Sequence, residues 1–123
     1  MKLTPVLIVE EIEKLVPFWV DRLGFEKTAE VPEGDRLGFV ILARGGAELM
    51  LQTVSSALKD APQFVPPKGS SAALFIEVED FGDVLRRIDG YPIALPERTT
   101  FYGMREIGVI DPAGHTVILA ARV

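Results

Sequence analysis

Residues 6–25 read VLIVEEIEKLVPFWVDRLGF, and residues 74–93 read LFIEVEDFGDVLRRIDGYPI. In both stretches an apolar strand runs into acidic residues, then into an amphipathic helix ending at a glycine, then to an aromatic residue. The halves match again further on. GFVILARGGAELMLQ (38–52) and EIGVIDPAGHTVILA (106–120) are each a strand, a tight glycine-containing turn and a second strand. Self-similarity of this kind means that one supersecondary unit occurs twice. It predicts an α+β fold of two βαβββ modules whose half-sheets enclose a cleft, and it places a ligand in that cleft.

The local signals fill in this outline. Leu3–Val9 reads as a strand with a proline near its start. Ile12, Leu15, Val16, Trp19, Val20 and Leu23 recur at helical spacing over Glu10–Leu23. The acids at its start suit the positive end of a helix, and Gly24 supplies the stop. Pro17 inside the pattern predicts a kink or break. Phe25–Val31 reads as a strand and Pro32–Asp35 as a turn. Arg36–Arg44 and Ala47–Val54 form a hairpin around Gly45-Gly46, a pair that permits positive φ. In the second half the spacing predicts a strand over Ala72–Glu79, a helix over Phe81–Ile88 and a strand over Tyr91–Glu97. A polar stretch, Arg98–Gly103, precedes a last hairpin of Met104–Ile110 and His115–Arg122. Asp111-Pro112-Ala113-Gly114 between them has the residues of a type I turn. The modules therefore run over about 1–54 and 72–123 of one domain. SSALKDAPQFVPPKGSS (55–71) reads as the linker between them and a candidate lid.

Composition removes several function classes. A chain of 123 residues has room for one domain with a real core. With no cysteine there is no disulfide, thiol nucleophile or thiolate metal site. A net charge of -5 argues against nucleic acid, whose phosphates are neutralised by clustered Lys and Arg. No apolar run reaches the roughly 20 residues that span a membrane, so no membrane partner is expected. MKLTPVLIVEE lacks the pattern of a secretory leader, and a cytoplasmic protein is the expectation. The four serines of the linker have no histidine placed to activate them. The GG and GGAE stretches do not make a phosphate loop.

PVLIVEEIEKLVPFWVDRLGF (5–25) together with YGMREIGVIDPAGHTVIL (102–119) resembles the vicinal oxygen chelate superfamily, which contains glyoxalase I, extradiol dioxygenases, and fosfomycin and bleomycin resistance proteins. The wording is most similar to the drug-binding bleomycin resistance proteins, in FWVDRLGF and in Arg105-Glu106-Ile107 ahead of DPAG. The resemblance covers nearly the whole chain. It implies paired βαβββ modules in a curved sheet with helices on the convex side, and a homodimer as partner. Metal-using members take His, Glu, His and Glu from four strands. Matching the motifs puts those places at Thr4, Met50, Ala73 and Ile118, which are not ligands in that pattern. The resemblance therefore implies no metal and no cofactor. His115 reads as a turn residue.

Side chains alternate across a strand, so these anchor positions set the facing of the rest. Thr4, Val6, Ile8, Glu48, Met50 and Gln52 should face the cleft from the first module. Ala73, Phe75, Glu77, Glu106, Gly108, Thr116, Ile118 and Ala120 should face it from the second. Leu3, Leu7, Val9, Leu49, Leu51, Leu74, Ile76 and Val78 should turn to the helices. The cup then has an apolar floor ringed by Glu48, Glu77 and Glu106. Three acids with no evident inward cation favour a cationic or amine-bearing ligand, unless Arg36, Arg44 or Arg105 pairs with them. Phe39, Gln52, Phe101 and Tyr102 complete the expected ligand contacts, while Trp19 falls at core spacing. Three functions fit: sequestration of a small molecule without metal, glyoxalase-like catalysis with Glu48 or Glu106 as base or a non-standard metal, and a dimeric scaffold.

Overall fold

A computed structural model describes residues 2–66 and 72–123. The described residues form strands β1 (Val6–Val9), β2 (Glu26–Glu33), β3 (Arg36–Arg44), β4 (Ala47–Thr53), β5 (Ala73–Glu77), β6 (Ile93–Thr99), β7 (Met104–Ile110) and β8 (Thr116–Arg122). Helices α1 (Val54–Asp60) and α2 (Phe81–Arg87) follow β4 and β5. The chain divides into two compact units, Met1–Ser70 and Ser71–Val123. Each unit carries one four-stranded mixed sheet, ordered β1-β4-β3-β2 in the first and β5-β8-β7-β6 in the second. In each, the first strand pairs in parallel with the last and the other neighbours are antiparallel. The repeat seen in the sequence is thus a repeat of strand order, and the fold is α+β.

The hairpin turns follow from their glycines. Gly45 takes φ +55° between β3 and β4, and Gly114 takes φ +92° between β7 and β8. Side chains without a Cβ penalty are needed at such angles. Alternation then divides each sheet into two faces. Val40, Leu42, Leu49 and Leu51 are fully or nearly fully buried, whereas Ile41, Met50 and Phe39 between them are half-buried. The covered face of the first unit shares its core with Ile12, Leu15, Phe18, Trp19 and Ala57. In the second unit Val117, Leu119 and Val109 are buried with Phe81, Val84 and Ile88 of the α2 segment. Each fully buried large apolar side chain contributes roughly 1.5–3 kcal/mol.

Three elements differ from expectation. The helical stretch over Glu10–Leu23 is broken ahead of Pro17, as expected, but its two pieces are a 3-10 turn, Ile12–Lys14, and a π-helix, Pro17–Arg22, rather than α-helix. Pro17 has no N–H to continue the first segment, so it starts the second. The wider winding shows in Leu23, whose N–H reaches the Phe18 carbonyl at 3.1 Å. It also inserts Trp19 edge-on between Phe18 and Phe25, with ring centroids 5.3 and 5.2 Å apart. The second difference is α1, which occupies the start of the expected linker. Thr53 caps it by accepting from the Ser56 N–H at 3.1 Å, and Pro62–Phe64 adds a 3-10 turn. The remainder of the expected lid, residues 67–71, lies outside the described residues. Third, β2 runs through Pro32 to Glu33 and β6 runs on to Thr99, while β1 begins only at Val6. Leu3, expected on the helix side, is almost fully exposed.

Candidate functional site

Strand register gives each sheet an open face arranged in rows. In the first unit, Val6, Met50, Ile41 and Ala29 lie opposite one another in turn across β1, β4, β3 and β2. The next row is Ile8, Gln52, Phe39 and Val31, and on the other side Glu48, Ala43 and Glu26 form a third. Opposed residues share a face, so Phe39, Glu48, Met50 and Gln52 are brought together on one surface. In the second unit, Phe75, Ile118, Gly108 and Leu95 make one row, and Glu77, Ala120, Glu106 and Arg98 make the next. Ala73 and Thr116 open a third. Phe75, Glu77, Glu106 and Ile118 therefore share the open face of the second sheet.

Two of the three carboxylates are not bare acids around an apolar floor. Glu48 accepts from Lys2 at 2.9 Å and from the Thr4 hydroxyl at 3.3 Å. The hydrogen bond from Lys2 holds its carboxyl below the usual carboxylate range. Glu106 is 1% exposed. Both Nε and a terminal nitrogen of Arg98 donate to its Oε1, at 3.1 and 3.0 Å, and the Tyr102 hydroxyl donates to its Oε2 at 2.6 Å. The bond to Glu106 raises the Arg98 pKa above its already high ordinary value. Buried carboxylates need such partners. Glu77, by contrast, is exposed. The partners suggested by sequence are engaged elsewhere: Arg44 donates to the Leu23 carbonyl, and Arg105 binds Glu97 while lying 4.7 Å from the centre of the Phe81 ring. Arg36 pairs in the strand register with Glu33.

Tyr102 and Phe101 sit in the turn between β6 and β7. Their rings meet edge to face, with centroids 5.1 Å apart and planes at 83°. Gln52 is buried and donates to the Ser56 hydroxyl at 3.2 Å, which ties the open face to the start of α1. Trp19 is fully buried, as its spacing requires.

The four places where the resemblance leads one to expect metal ligands carry side chains that do not suit a metal. Thr4 precedes β1 and spends its hydroxyl on Glu48. Met50 offers a thioether, and Ala73 and Ile118 offer no donor. A divalent cation needs carboxylate or imidazole groups there. Among the described residues no three His, Asp or Glu side chains gather as a metal group would need.

Two features were not anticipated. Asp111, 2% exposed, organises the last turn. Its Oδ1 accepts from the N–H groups of Ala113 and His115 at 3.0 and 2.9 Å, and its Oδ2 lies 2.8 Å from His115 Nδ1. Burial pushes the Asp111 pKa up, but hydrogen bonds from the His115 ring and the two N–H groups, with the His115 charge, bring it below the ordinary value. The DPAGH spelling carried this signal, since an Asp opening a turn accepts from N–H groups two and four residues on. The second is a hollow of about 260 Å³ in the first unit, lined by Gly24, Glu26, Thr28, Ala43, Arg44 and Gly45. It adjoins the Glu48–Ala43–Glu26 row, and none of the expected ligand contacts lines it.

No helix among the described residues is long and apolar enough to cross a membrane. No curated protein matches the sequence. Solved structures do match the fold over the full chain. TioX from Micromonospora sp. ML1 superposes with a TM-score of 0.79 at 20% identity, covering 100% of both chains. A glyoxalase/bleomycin resistance protein/dioxygenase family enzyme from Burkholderia phytofirmans PsJN gives 0.79 at 15% identity, again over 100% of both. A lactoylglutathione lyase from Agrobacterium tumefaciens gives 0.70 at 18%, covering 98% of this chain and 92% of that one. At the level of sequence, residues 3–119 match the family model of the Glyoxalase/Bleomycin resistance protein/Dioxygenase superfamily, and with that span and these sheets the chain belongs to this superfamily.

Proposed function

We propose that this protein binds and sequesters a small organic molecule on the open faces of its sheets, without metal and without transforming it. The observation that carries the reading is the row structure of those faces. Val6, Met50 and Ile41 in one unit, and Phe75, Ile118 and Leu95 in the other, line up as apolar tracks beside carboxylates already held by the chain's own cations. Apolar surface with a few fixed polar groups is the usual composition of a small-molecule site. The two carboxylates that sequence offered as bases support catalysis poorly. Glu48 is held ionised by Lys2, and a base with a depressed pKa abstracts protons weakly near neutral pH. Both Glu106 oxygens already accept hydrogen bonds. Paired carboxylates also weaken the case for a cationic ligand, so the reading shifts from amines to neutral or aromatic molecules. The same reading carries a cytoplasmic homodimer, to be checked by sedimentation equilibrium.

The test has two arms. Protein purified without chelators should contain well under one equivalent of zinc, nickel, iron or manganese per chain. A thermal-shift screen over neutral, aromatic and amine-bearing compounds should find binders, since a ligand at a hundred times its Kd adds roughly 2.7 kcal/mol. Stoichiometric metal would overturn the metal-free reading. A broad library with no shift would overturn sequestration and favour a scaffold.

A further inference from the structure

The hollow of about 260 Å³ in the first unit brings together a cation and an anion that do not neutralise each other. Arg44 and Glu26 both line it, yet no ion pair joins them. Among the described residues the Glu26 carboxylate has no salt-bridge or hydrogen-bond partner. The local fold holds the two apart. Arg44 ends β3 and lies against Gly24, where a Cβ would stand 3.0 Å from a terminal guanidinium nitrogen. Glycine at that place admits the guanidinium, which donates to the Leu23 carbonyl just past the π-helix. A cation suits that end, because the last carbonyls of a helix carry partial negative charge. One N–H of the guanidinium is spent there, and its other donors remain. Glu26 starts β2 and is fixed opposite Ala43. Between Lys27 and Ala29 the register of β2 shifts, which leaves Thr28 as the extra residue. Such a bulge re-aims a side chain, and Thr28 lines the same hollow.

We propose that this hollow binds a small free α-amino acid as its zwitterion. The ligand carboxylate accepts from the remaining donors of Arg44, and its ammonium donates to the Glu26 carboxylate and the Thr28 hydroxyl oxygen. A simple anion would meet Glu26 as a like charge, and a simple amine would meet Arg44 as one. A molecule that carries both charges satisfies both walls. Size points the same way, since drug-sized ligands occupy about 300–1,000 Å³ and this hollow is smaller. The site lies beyond the apolar tracks of the open faces and does not rest on the sequestration reading. Both charged walls are exposed. Each contact should therefore count for about threefold to fivefold in affinity, as exposed ion pairs do, and binding should be weak.

The experiment is a titration of the ¹⁵N-labelled full chain with L-alanine, followed by amide shifts, alongside propionate and ethylamine, which each keep one of its two charges. The expected result is saturable movement of the amides of residues 24–28 and 43–46 with L-alanine. Propionate and ethylamine should each bind about threefold or more weakly. Glu26→Gln keeps the shape of an exposed side chain and leaves the fold alone. It should weaken L-alanine by about threefold or more and abolish the preference for L-alanine over propionate. Thr28→Val should give a smaller loss for L-alanine and none for propionate. Propionate binding as tightly as L-alanine to the wild type would make this an anion site and overturn the zwitterion. L-alanine binding equally to wild type and Glu26→Gln would overturn the role of the carboxylate and with it the proposal. No movement at 24–28 and 43–46 with L-alanine would overturn the site itself, while leaving binding on the open faces intact.

Discussion

Replacing Gly108 with alanine tests the register on which the second sheet's open face rests. Gly108 lies on β7 opposite Leu95 of β6, between two register shifts in that strand. A Cβ built there would stand 2.8 Å from the Leu95 Cβ and 3.3 Å from the Leu95 nitrogen. Carbon atoms do not approach so closely. Neither neighbour can swing aside by changing rotamer, since one is a Cβ and the other is backbone. The strand itself must move, which puts the cost near the top of the range for overpacking, about 2–3 kcal/mol. Urea unfolding followed by far-ultraviolet circular dichroism should then show a midpoint lower by on the order of 1 M at unchanged slope. The cycle partner follows from the same geometry. Leu95→Ala keeps the offending Cβ and should not relieve the clash, whereas Leu95→Gly removes it. Gly108→Ala with Leu95→Gly should therefore show a favourable coupling of at least about 1 kcal/mol. A Gly108→Ala protein within about 0.5 kcal/mol of wild type would refute the register and with it the Phe75–Ile118–Gly108–Leu95 row.

Further outcomes are expected elsewhere. Asp111 has a folded pKa below its unfolded value of about 3.9, so its contribution is fully present above that value and is lost as the pH falls through the folded pKa. Asp111→Asn should accordingly cost about 1–3 kcal/mol at pH 7, with the gap to wild type closing below about pH 4 in a series of urea melts; a gap independent of pH would contradict the pairing with His115. Trp19, the one tryptophan of the chain, is fully buried, so native emission should be blue-shifted and move red on unfolding, and Trp19→Ala should cost about 3–5 kcal/mol. Emission like that of free tryptophan in the native protein would rule out this packing. The Asp80 side chain accepts from the Asp83 N–H at 3.0 Å at the start of α2, and Asp80→Ala should cost about 1 kcal/mol in the same melts; an effect below about 0.3 kcal/mol would mean that the cap does not hold the helix.

Much of the architecture was legible because the repeat is spelled in apolar spacing, which is what strand order and facing respond to. On β4, Leu49 and Leu51 are buried and Glu48 and Met50 half-buried, as the alternation predicts, but Gln52 is buried as well. Helical detail was less legible. Pro17 announced an interruption, but whether the chain resumes as α or π winding depends on fitting Trp19 between Phe18 and Phe25, a matter of volume rather than periodicity. Helix α1 was hidden by the prolines further along the same stretch, although Thr53 ahead of Val54–Asp60 is a capping signal. Charge pairing was the least legible part. Arg98 meets Glu106 through a strand pair with two register shifts, and Lys2 reaches Glu48 from before β1. Arg98 reads as part of a polar stretch outside any strand, and Lys2 lies outside the parity of β1, so two of the acids that read as bare are paired.

The outer strands β2 and β6 share a device that bears on how this protein behaves when concentrated. Each ends its sheet, each contains a proline (Pro32 and Pro96), and each is interrupted by two register shifts. Each also carries charged side chains, Lys27 and Glu30 on one and Glu97 and Arg98 on the other. An edge so bent, charged and missing an N–H is a poor template for a further strand. Growth of either sheet by recruitment of another chain is thereby discouraged on that side. The opposite margins, the short parallel strands β1 and β5, lack a proline within them. The repeat of the module thus carries the same asymmetry, with proline and charge on one margin of each sheet and no proline on the other.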